Sequence, residues 1–476
     1  MKKIITLLLV ATLILGLCAC GGKSSKDGMQ AGFARASIIP KTQVHLDGST
    51  VEDRPAGDAI DDITATCIAI SNGKDTLLLF TMDLVFIQSE TYKAQNYVSE
   101  ATGISVDNIV MSGTHTHSAP AVNYKSAAEY RQQLYDTCVS LAQEAIADMS
   151  ATEIYYSSAK TENLCFVRHY ITVDGENYGT HQSVKRMGAA LEKHAYDANE
   201  TMQVIKLARA AEDKQDIVLM NLGAHPNYVS QNATRLNISA DWPGYARTYV
   251  EENTDALCAF FISAAGDQQG HSQVIKTNHD GIKGYINIGN DAGAACVDIL
   301  NGEMTKAEGT KIEVTIKHFE APSNKENIDN ADLIAEAMNI MEQSETLDSV
   351  SLQSVIIKSS FESYYHAKAQ IERAKAPATR DMDIQALTAG GISMIFAPFE
   401  MFGEQSQYIM DNSPYDMTFI VTCAENPSGG PQRYMSNING MDNNYYEGIQ
   451  MQFERGTAEK LAEIYVEMLT GLQSEG

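Results

Sequence analysis

Two histidines with one residue between them form the sharpest chemical signal in the chain. An apolar, strand-like run leads into His115-Thr116-His117. On an extended backbone, residues i and i+2 project to the same side, so both imidazoles would face one point. Such a pair suits two metal ligands, or one ligand and one acid/base group. Taken alone, the pattern fits two hydrogen-bonded structural histidines equally well.

Two further segments bring a chemically useful side chain to the end of an apolar run. His225 follows the run 217–222, and the next residue, Pro226, cannot continue a strand's hydrogen-bond ladder. Glu400 follows the run 392–396. Each has a structural alternative, as a histidine at a strand end or a carboxylate at a helix start. Histidines and a carboxylate at strand ends also fit a zinc site with an open position, where the metal activates water and polarises a carbonyl.

The order of these segments resembles the zinc-dependent neutral ceramidase family in its amidase domain. The sequence Gly113-Thr-His-Thr-His-Ser118 is similar to the family motif G-T-H-T-H-S-G-P. The other matching segments are, in chain order, 31–40, His225-Pro226 with 238–244, 264–267, 397–400, and Tyr434 with Tyr446-Glu447. Together they cover nearly all of the chain after residue 30.

The resemblance implies both a fold and an activity. The fold would be a mixed-sheet α/β catalytic domain, without the family's C-terminal immunoglobulin-like domain. The activity would be that of a zinc-dependent amidohydrolase, which cleaves ceramide or another N-acyl substrate by metal-activated water. The zinc ligands that the resemblance implies are His115, His225, Glu400 and Tyr434. His117 would be the acid/base group beside the metal, and Arg168 would contact the substrate.

One departure from the family concerns the segment after Gly266-Asp267. The family places a serine two residues after this pair, whereas this chain has Gln269, which cannot act as a nucleophile. The difference favours direct attack by metal-activated water, with Gln269 orienting the substrate amide.

The sequence leaves the substrate and the use of the site open. A small soluble amide or ester competes with ceramide as the substrate. Four apolar side chains near Glu400 fit either an acyl pocket or ordinary core packing: Phe396, Phe399, Met401 and Phe402. A non-catalytic surface lipoprotein that binds a lipid or small ligand, and a purely structural zinc site, are the competing interpretations.

The elements that must position these residues alternate between strand-like and helical patterns. The predicted strands are 63–71 and 76–82 around the turn Asn72-Gly73, 108–111, 217–222, 257–263, and 385–387 with 392–396 around Gly390-Gly391. One predicted helix runs from a capping box at Ser126 and Glu129 to about Met149, and another carries the apolar residues of 461–472. The polar stretch 321–330 is predicted to be an insertion or a joint.

Composition excludes several classes of function. Hydrophobic residues make up 44% and charged residues 20%, which excludes a mainly disordered chain. The formal net charge of −26 argues against a nucleic-acid partner, because phosphate binding needs Lys and Arg. The six cysteines after residue 20 are widely spaced without a CxxC, so a zinc–cysteine site is not expected. They fit one or two disulfides, or buried thiols.

The first thirty residues predict the compartment. Lys2 and Lys3 precede an apolar run of 14 residues, 4–17, which is too short to span a bilayer. We interpret 1–19 as a signal peptide whose end resembles a bacterial lipobox, with lipid on Cys20. The alternative is an ordinary cleaved signal. A flexible tether would follow over 20–30 and the hydrolase domain over 31–476, held outside the cytoplasm on the bacterial membrane.

Overall fold

The computed structural model describes residues 28–48, 54–87, 89–179, 184–426 and 433–474. The predicted signal peptide, Cys20 and most of the predicted tether lie outside these ranges and remain predictions. Among the helices in these ranges, none combines the length and the apolar character that crossing a bilayer requires.

Strands and helices alternate along the chain, as the sequence pattern predicted. The strands are β1 (Gln30–Ser37), β2 (Thr64–Ser71), β3 (Thr76–Met82), β4 (Ile109–Gly113), β5 (Ser150–Lys160), β6 (Phe166–Val167), β7 (His169–Thr172), β8 (Asn177–Gly179), β9 (Leu191–His194), β10 (Thr201–Arg209), β11 (Asp216–Leu222), β12 (Ala256–Ile262), β13 (Gln268–Gln269), β14 (Thr305–Lys306), β15 (Ile312–Pro322), β16 (Thr379–Ala389), β17 (Ile392–Phe396), β18 (Glu400–Met401), β19 (Thr418–Val421) and β20 (Tyr434–Met435). The helices are α1 (Ser89–Thr102), α2 (Ala128–Ala147), α3 (Asp241–Asn253), α4 (Gly284–Asn301), α5 (Ala331–Ser344), α6 (Ser349–Ile357), α7 (Tyr364–Lys375), α8 (Gly403–Asn412), α9 (Ile438–Asp442), α10 (Tyr446–Gln450) and α11 (Thr457–Ser474).

The larger sheet carries the strands that lead to the histidines. Its order is β12-β11-β10-β5-β1-β2-β3-β4, with the short β14 paired to β5. The pairs β3–β4 and β11–β12 are parallel, and the others are antiparallel. Counting these reversals, β4 and β11 run in opposite directions. In a flat sheet their carboxyl ends would therefore lie at opposite edges.

The sheet curls until its two ends meet. The Thr81 hydroxyl of β3 donates to the Phe260 carbonyl of β12 at 2.7 Å. The segment after β19 bridges the remaining gap: its Thr422 N–H donates to Ile262 of β12 at 2.9 Å. On the other side, the Gly113 N–H of β4 donates to the Cys423 carbonyl at 3.1 Å. This closure brings the ends of β4 and β11 to one place.

A second sheet fills the inside of the curl. Its order is β15-β16-β17-β19, and its last pair is parallel. Apolar residues of both sheets share one buried cluster, among them Ile217, Phe261 and Met394. The predicted hairpin is confirmed: Gly390 and Gly391 have φ of 59° and 91°, which glycine adopts without a steric cost. β17 then leads towards Glu400.

The helices cover the sheets with the faces that the sequence predicted, although one predicted cap does not form. The predicted apolar face of α2 is buried. However, a turn of 3₁₀ helix, Lys125–Ala127, precedes α2. The N-cap residue of α2 is Ala127, which makes no side-chain hydrogen bond. The predicted capping box at Ser126 is therefore wrong. The six cysteines in the described ranges are buried free thiols, which agrees with the core interpretation rather than with disulfides.

Three helices, α5 to α7, form an insert between β15 and β16. The insert follows the polar stretch that the sequence marked as an insertion or joint. It has a small apolar cluster of its own, built around Ala337, Ile340 and Phe361. Its last helix, α7, places Tyr365 against Tyr446, with the ring centroids 5.1 Å apart.

Candidate active site

Three imidazoles converge where the ends of β4 and β11 meet. Nε2 of His115 lies 3.2 Å from Nε2 of His225 and 3.3 Å from Nε2 of His117. The remaining pair, His117 and His225, is 3.0 Å apart. The prediction that His115 and His117 face one point is confirmed, but the backbone at His115 is not the extended one that the prediction assumed. His115 has a φ of 68°, which is unusual for a residue other than glycine and is typical of strained functional sites.

Hydrogen bonds at the far side of each ring determine which nitrogen carries the proton. The acceptors are the carbonyl oxygens of Val85 for His115 at 2.9 Å, Gly48 for His117 at 2.9 Å and Ala265 for His225 at 3.0 Å, each facing Nδ1. A carbonyl oxygen only accepts, so each Nδ1 must donate, and each neutral ring keeps a lone pair on Nε2. Three lone pairs that point at one another repel, and a bound cation would satisfy all three. Such outer hydrogen bonds are typical of histidine metal ligands.

Glu400 adds a carboxylate oxygen to this cluster. Its Oε2 lies 3.2 Å from Nε2 of His115 and 3.9 Å from Nε2 of His225. This oxygen is buried beside the imidazoles. A tetrahedron of ligands at about 2.0–2.1 Å from zinc has edges of about 3.3–3.4 Å. The donors therefore fit a zinc-type cation in both chemistry and spacing.

The protonation of the cluster reflects burial and neighbouring charge. Burial lowers the pKa of His117 and of His225 well below the ordinary value, and positive charge at His115 acts in the same direction. Burial also opposes charge on His115, but Cys423 and Glu400 outweigh it and raise that pKa well above the ordinary value. His117 and His225 thus stay neutral. His115 would have to lose its proton to hold a cation, because a histidine ligand must be neutral.

Tyr434 lies on another wall, next to a buried ion pair. The Arg168 guanidinium carbon is 5.4 Å from the centre of the Tyr434 ring, and the two side chains are hydrogen-bonded. Arg168 is held from behind by Glu447, with Nε 2.7 Å from Oε1. The other oxygen of Glu447 lies 2.8 Å from Nε2 of His169. Burial raises the pKa of Tyr434 well above the ordinary value, and Glu400 adds to this.

Gln269, which stands where the family has a serine, lies behind the histidine cluster. Its backbone bridges to His225, and its side-chain amide donates to the Tyr170 hydroxyl at 3.4 Å. It is 3% exposed, and the described lining of the adjoining cavity does not include it. The structure therefore brings His115, His117, His225, Glu400, Tyr434 and Arg168 to one cavity, and places Gln269 outside it. A substrate-orienting role for Gln269 remains a prediction.

The cavity has a volume of about 300 Å³. The described residues that line it are mostly polar and aromatic: Asp47, Gly48, Arg54, Val85, Phe86, His115, His117, Arg168, His225, Asn227, Ser230, Gln231, Tyr365, Glu400, Arg433, Tyr434, Tyr446 and Gln450. The four residues considered for an acyl pocket, Phe396, Phe399, Met401 and Phe402, are buried in the apolar core, with at most 2% exposure. The core interpretation of these four residues is the one the structure supports.

Sequence reasoning did not single out the other residues of this cavity, among them Asn227 and Arg433. Each of these two directly neighbours a recognised segment, since Asn227 follows His225-Pro226 and Arg433 precedes Tyr434. Adjacency to a motif was the one signal that could have identified them.

Fold and site together define a mixed α/β protein in which a buried cluster of imidazoles and a carboxylate, suited to holding a cation, adjoins a polar cavity. Two solved structures share this fold. A structure described as a ceramidase complexed with C2 matches with a TM-score of 0.67 and 15% identity, over 94% of this chain and 76% of that one. Neutral ceramidase from Pseudomonas aeruginosa matches with a TM-score of 0.67 and 15% identity, over 94% of this chain and 75% of that one. No protein-family model and no curated protein match the sequence. The chain has a neutral ceramidase-like fold, as the sequence resemblance predicted.

Proposed function

We propose that this protein is a zinc-dependent hydrolase that cleaves the C–N bond of an N-acyl substrate. The observation that carries the proposal is the convergence of three imidazole Nε2 atoms beside the buried Oε2 of Glu400. The fold supports amide hydrolysis, since ceramidases, which share it, are named for cleaving an N-acyl lipid. A membrane location through lipid on Cys20 is part of the same proposal.

The residues divide into ligands and a proton carrier. His115, His225 and Glu400 would hold the cation, with the Tyr434 phenol as fourth donor. When bound, a zinc-type cation supplies Lewis-acid chemistry that activates water and polarises a carbonyl oxygen. His117 would accept and return a proton at Nε2, because the Gly48 carbonyl fixes the other proton on Nδ1.

Arg168 has a positioning role in this scheme. It holds the Tyr434 phenol at the cavity wall, while Glu447 and the Gly266 carbonyl hold Arg168. The guanidinium also favours a negatively charged phenolate, which a tyrosine must become to ligate a metal. Arg168 and Glu447 are almost fully buried, and the lower dielectric there strengthens the attraction between their charges.

The experiment measures metal content and turnover of short N-acyl amides in the same preparations. We expect about one zinc per chain and loss of turnover with a chelator. His115→Ala should lose both metal and turnover. His117→Ala should keep the metal and lose about 10²- to 10⁴-fold in kcat, the usual contribution of a general base.

The exposed histidine His318, whose side chain is 57% exposed, provides the control. His318→Ala should change neither metal content nor turnover, and circular dichroism should show a native fold for every variant. Wild-type protein without metal, or hydrolysis that a chelator leaves unchanged, would contradict the proposal. If His117→Ala also loses the metal, His117 is a ligand rather than the proton carrier.

A further inference from the structure

The described residues that line the cavity beside the histidines include three arginines and two acidic residues, Asp47 and Glu400, although the chain as a whole is strongly acidic. The chain has a formal net charge of −26 and 12 arginines, yet three of these line one cavity: Arg54, Arg168 and Arg433. Among the described lining residues, Val85 is the one aliphatic side chain. Ligand sites usually place a few polar groups within a mainly apolar wall. The three guanidinium groups among the polar residues here point to a polar, anionic ligand.

The volume sets a limit on the size of that ligand. A cavity of about 300 Å³ is at the small end of ligand-binding cavities. A long acyl chain would have to leave the cavity, and the apolar residues that could have formed a channel near Glu400 are packed in the core.

The three arginines differ in how firmly they are held. Arg168 is fixed by its buried ion pair with Glu447. Arg54 donates to backbone carbonyls, including that of His117 at 2.9 Å. The Arg433 side chain is 36% exposed, and its Nη1 donates to Glu372 on α7, equally exposed, at 3.0 Å. An exposed pair of this kind contributes little stability, so a substrate carboxylate could replace Glu372 at small cost.

Arg433 is also fixed in place along the backbone. Its carbonyl accepts a hydrogen bond from the Glu400 N–H at 3.1 Å, and the next residue is Tyr434. Arg433 thus lines the cavity on a backbone tied to the candidate ligands. A planar guanidinium binds a carboxylate through two parallel hydrogen bonds, which gives orientation as well as affinity.

Asn227 offers a partner for the amide itself. It is 4% exposed, lines the cavity, and its Oδ1 is buried without a hydrogen-bond partner. Its backbone N–H donates to the His225 carbonyl at 3.1 Å, which places it beside a candidate ligand. An unpaired buried acceptor is costly, and a substrate N–H would satisfy it.

We propose that the substrate is a small N-acyl amino acid, whose carboxylate binds Arg433 and whose amide N–H donates to Asn227. The inference rests on the proposed hydrolase function. In the reaction one water oxygen bonds to the acyl carbon, the C–N bond breaks, and a proton passes to the leaving nitrogen. The products are a carboxylic acid and a free amino acid.

The first test compares matched substrates on the metal-loaded protein. N-hexanoylglycine and N-hexanoylglycinamide have nearly the same shape and differ in the charge of one end. We expect kcat/KM for hexanoate release to be at least tenfold higher for the carboxylate. Arg433→Gln should remove most of this preference, whereas Arg433→Lys should retain part of it. Equal or better cleavage of the neutral amide, unaffected by Arg433→Gln, would overturn the inference and leave the hydrolase proposal intact.

The second test measures binding without turnover. The ketone 4-oxononanoate replaces the N–H of N-hexanoylglycine by a methylene and cannot be hydrolysed, and 4-oxononanamide is its neutral match. Calorimetry should give a Kd at least tenfold lower for the carboxylate, with the difference lost in Arg433→Gln. If this holds while no amide is hydrolysed, the anionic ligand is supported and the hydrolase function fails. If both ketones bind alike, the anionic ligand is wrong.

Discussion

The buried pair of Glu447 and Arg168 supports the site from behind, and its removal should be costly. Glu447 is 1% exposed and bonds both Arg168 and His169. Burial alone would raise the pKa of Glu447, but Arg168, and after it His169, lower that pKa from 4.5 to about 2. At 1.36 kcal/mol per pKa unit, this difference corresponds to about 3 kcal/mol of stability at neutral pH. Glu447→Gln, which leaves the Arg168 charge buried without its partner, should cost about 3–5 kcal/mol.

The pH dependence follows from the same numbers. Because the pKa is lower in the folded state, the stabilisation is present in full above pH 4.5. It is lost as the pH falls from about 5 towards 2. Wild-type protein should therefore lose stability steeply in this window, and Glu447→Gln should lose less there. As the pH is lowered, the free energy of unfolding should therefore decrease less in the variant than in the wild type.

Urea unfolding at several pH values measures both effects. The chain has one tryptophan, Trp242, which is 0% exposed, so its fluorescence reports loss of the core. Asp442→Asn is the matched control, since Asp442 also bonds an arginine, Arg455, through both oxygens at 2.8 Å. That pair is more than half exposed, and its loss should change little. A loss below about 1 kcal/mol in Glu447→Gln, or a pH profile identical to that of wild type, would refute the reasoning.

Two further predictions concern a glycine and the thiols. Gly48 has a φ of 87°, and a Cβ there would lie 2.8 Å from Cγ of His117, so Gly48→Ala should reduce turnover at least tenfold by displacing that ring. Gly175→Ala is the control, because Gly175 has a φ of 85° with no atom within 4 Å of an added Cβ. Both variants should lose about 1 kcal/mol of folding stability, because alanine is strained at a positive φ, but Gly175→Ala should keep full activity. The six described cysteines are buried and free, so a thiol reagent should label them in urea and not in the native protein. A mass 2 Da lower than that of the reduced protein, the loss of two hydrogens, would reveal a disulfide and contradict this.

Local pattern determined much of what the sequence could predict. The alternation of apolar runs with turn residues gave β2, β3, β11, β12 and the hairpin at Gly390-Gly391, because side-chain periodicity and glycine conformation act over a few residues. Ordered motifs selected His115, His117, His225, Glu400 and Tyr434 for one site. The capping box at Ser126 failed because Ser126 lies inside a 3₁₀ turn, Lys125–Ala127.

Tertiary structure alone decided how those residues meet. His115 and His225 follow strands that run in opposite directions, and only the closure of the curled sheet through Thr422 and Cys423 brings their Nε2 atoms to 3.2 Å. That closure depends on contacts between segments more than 150 residues apart, which no local pattern encodes. The same long-range packing left Gln269 outside the cavity and placed Arg433 in its wall.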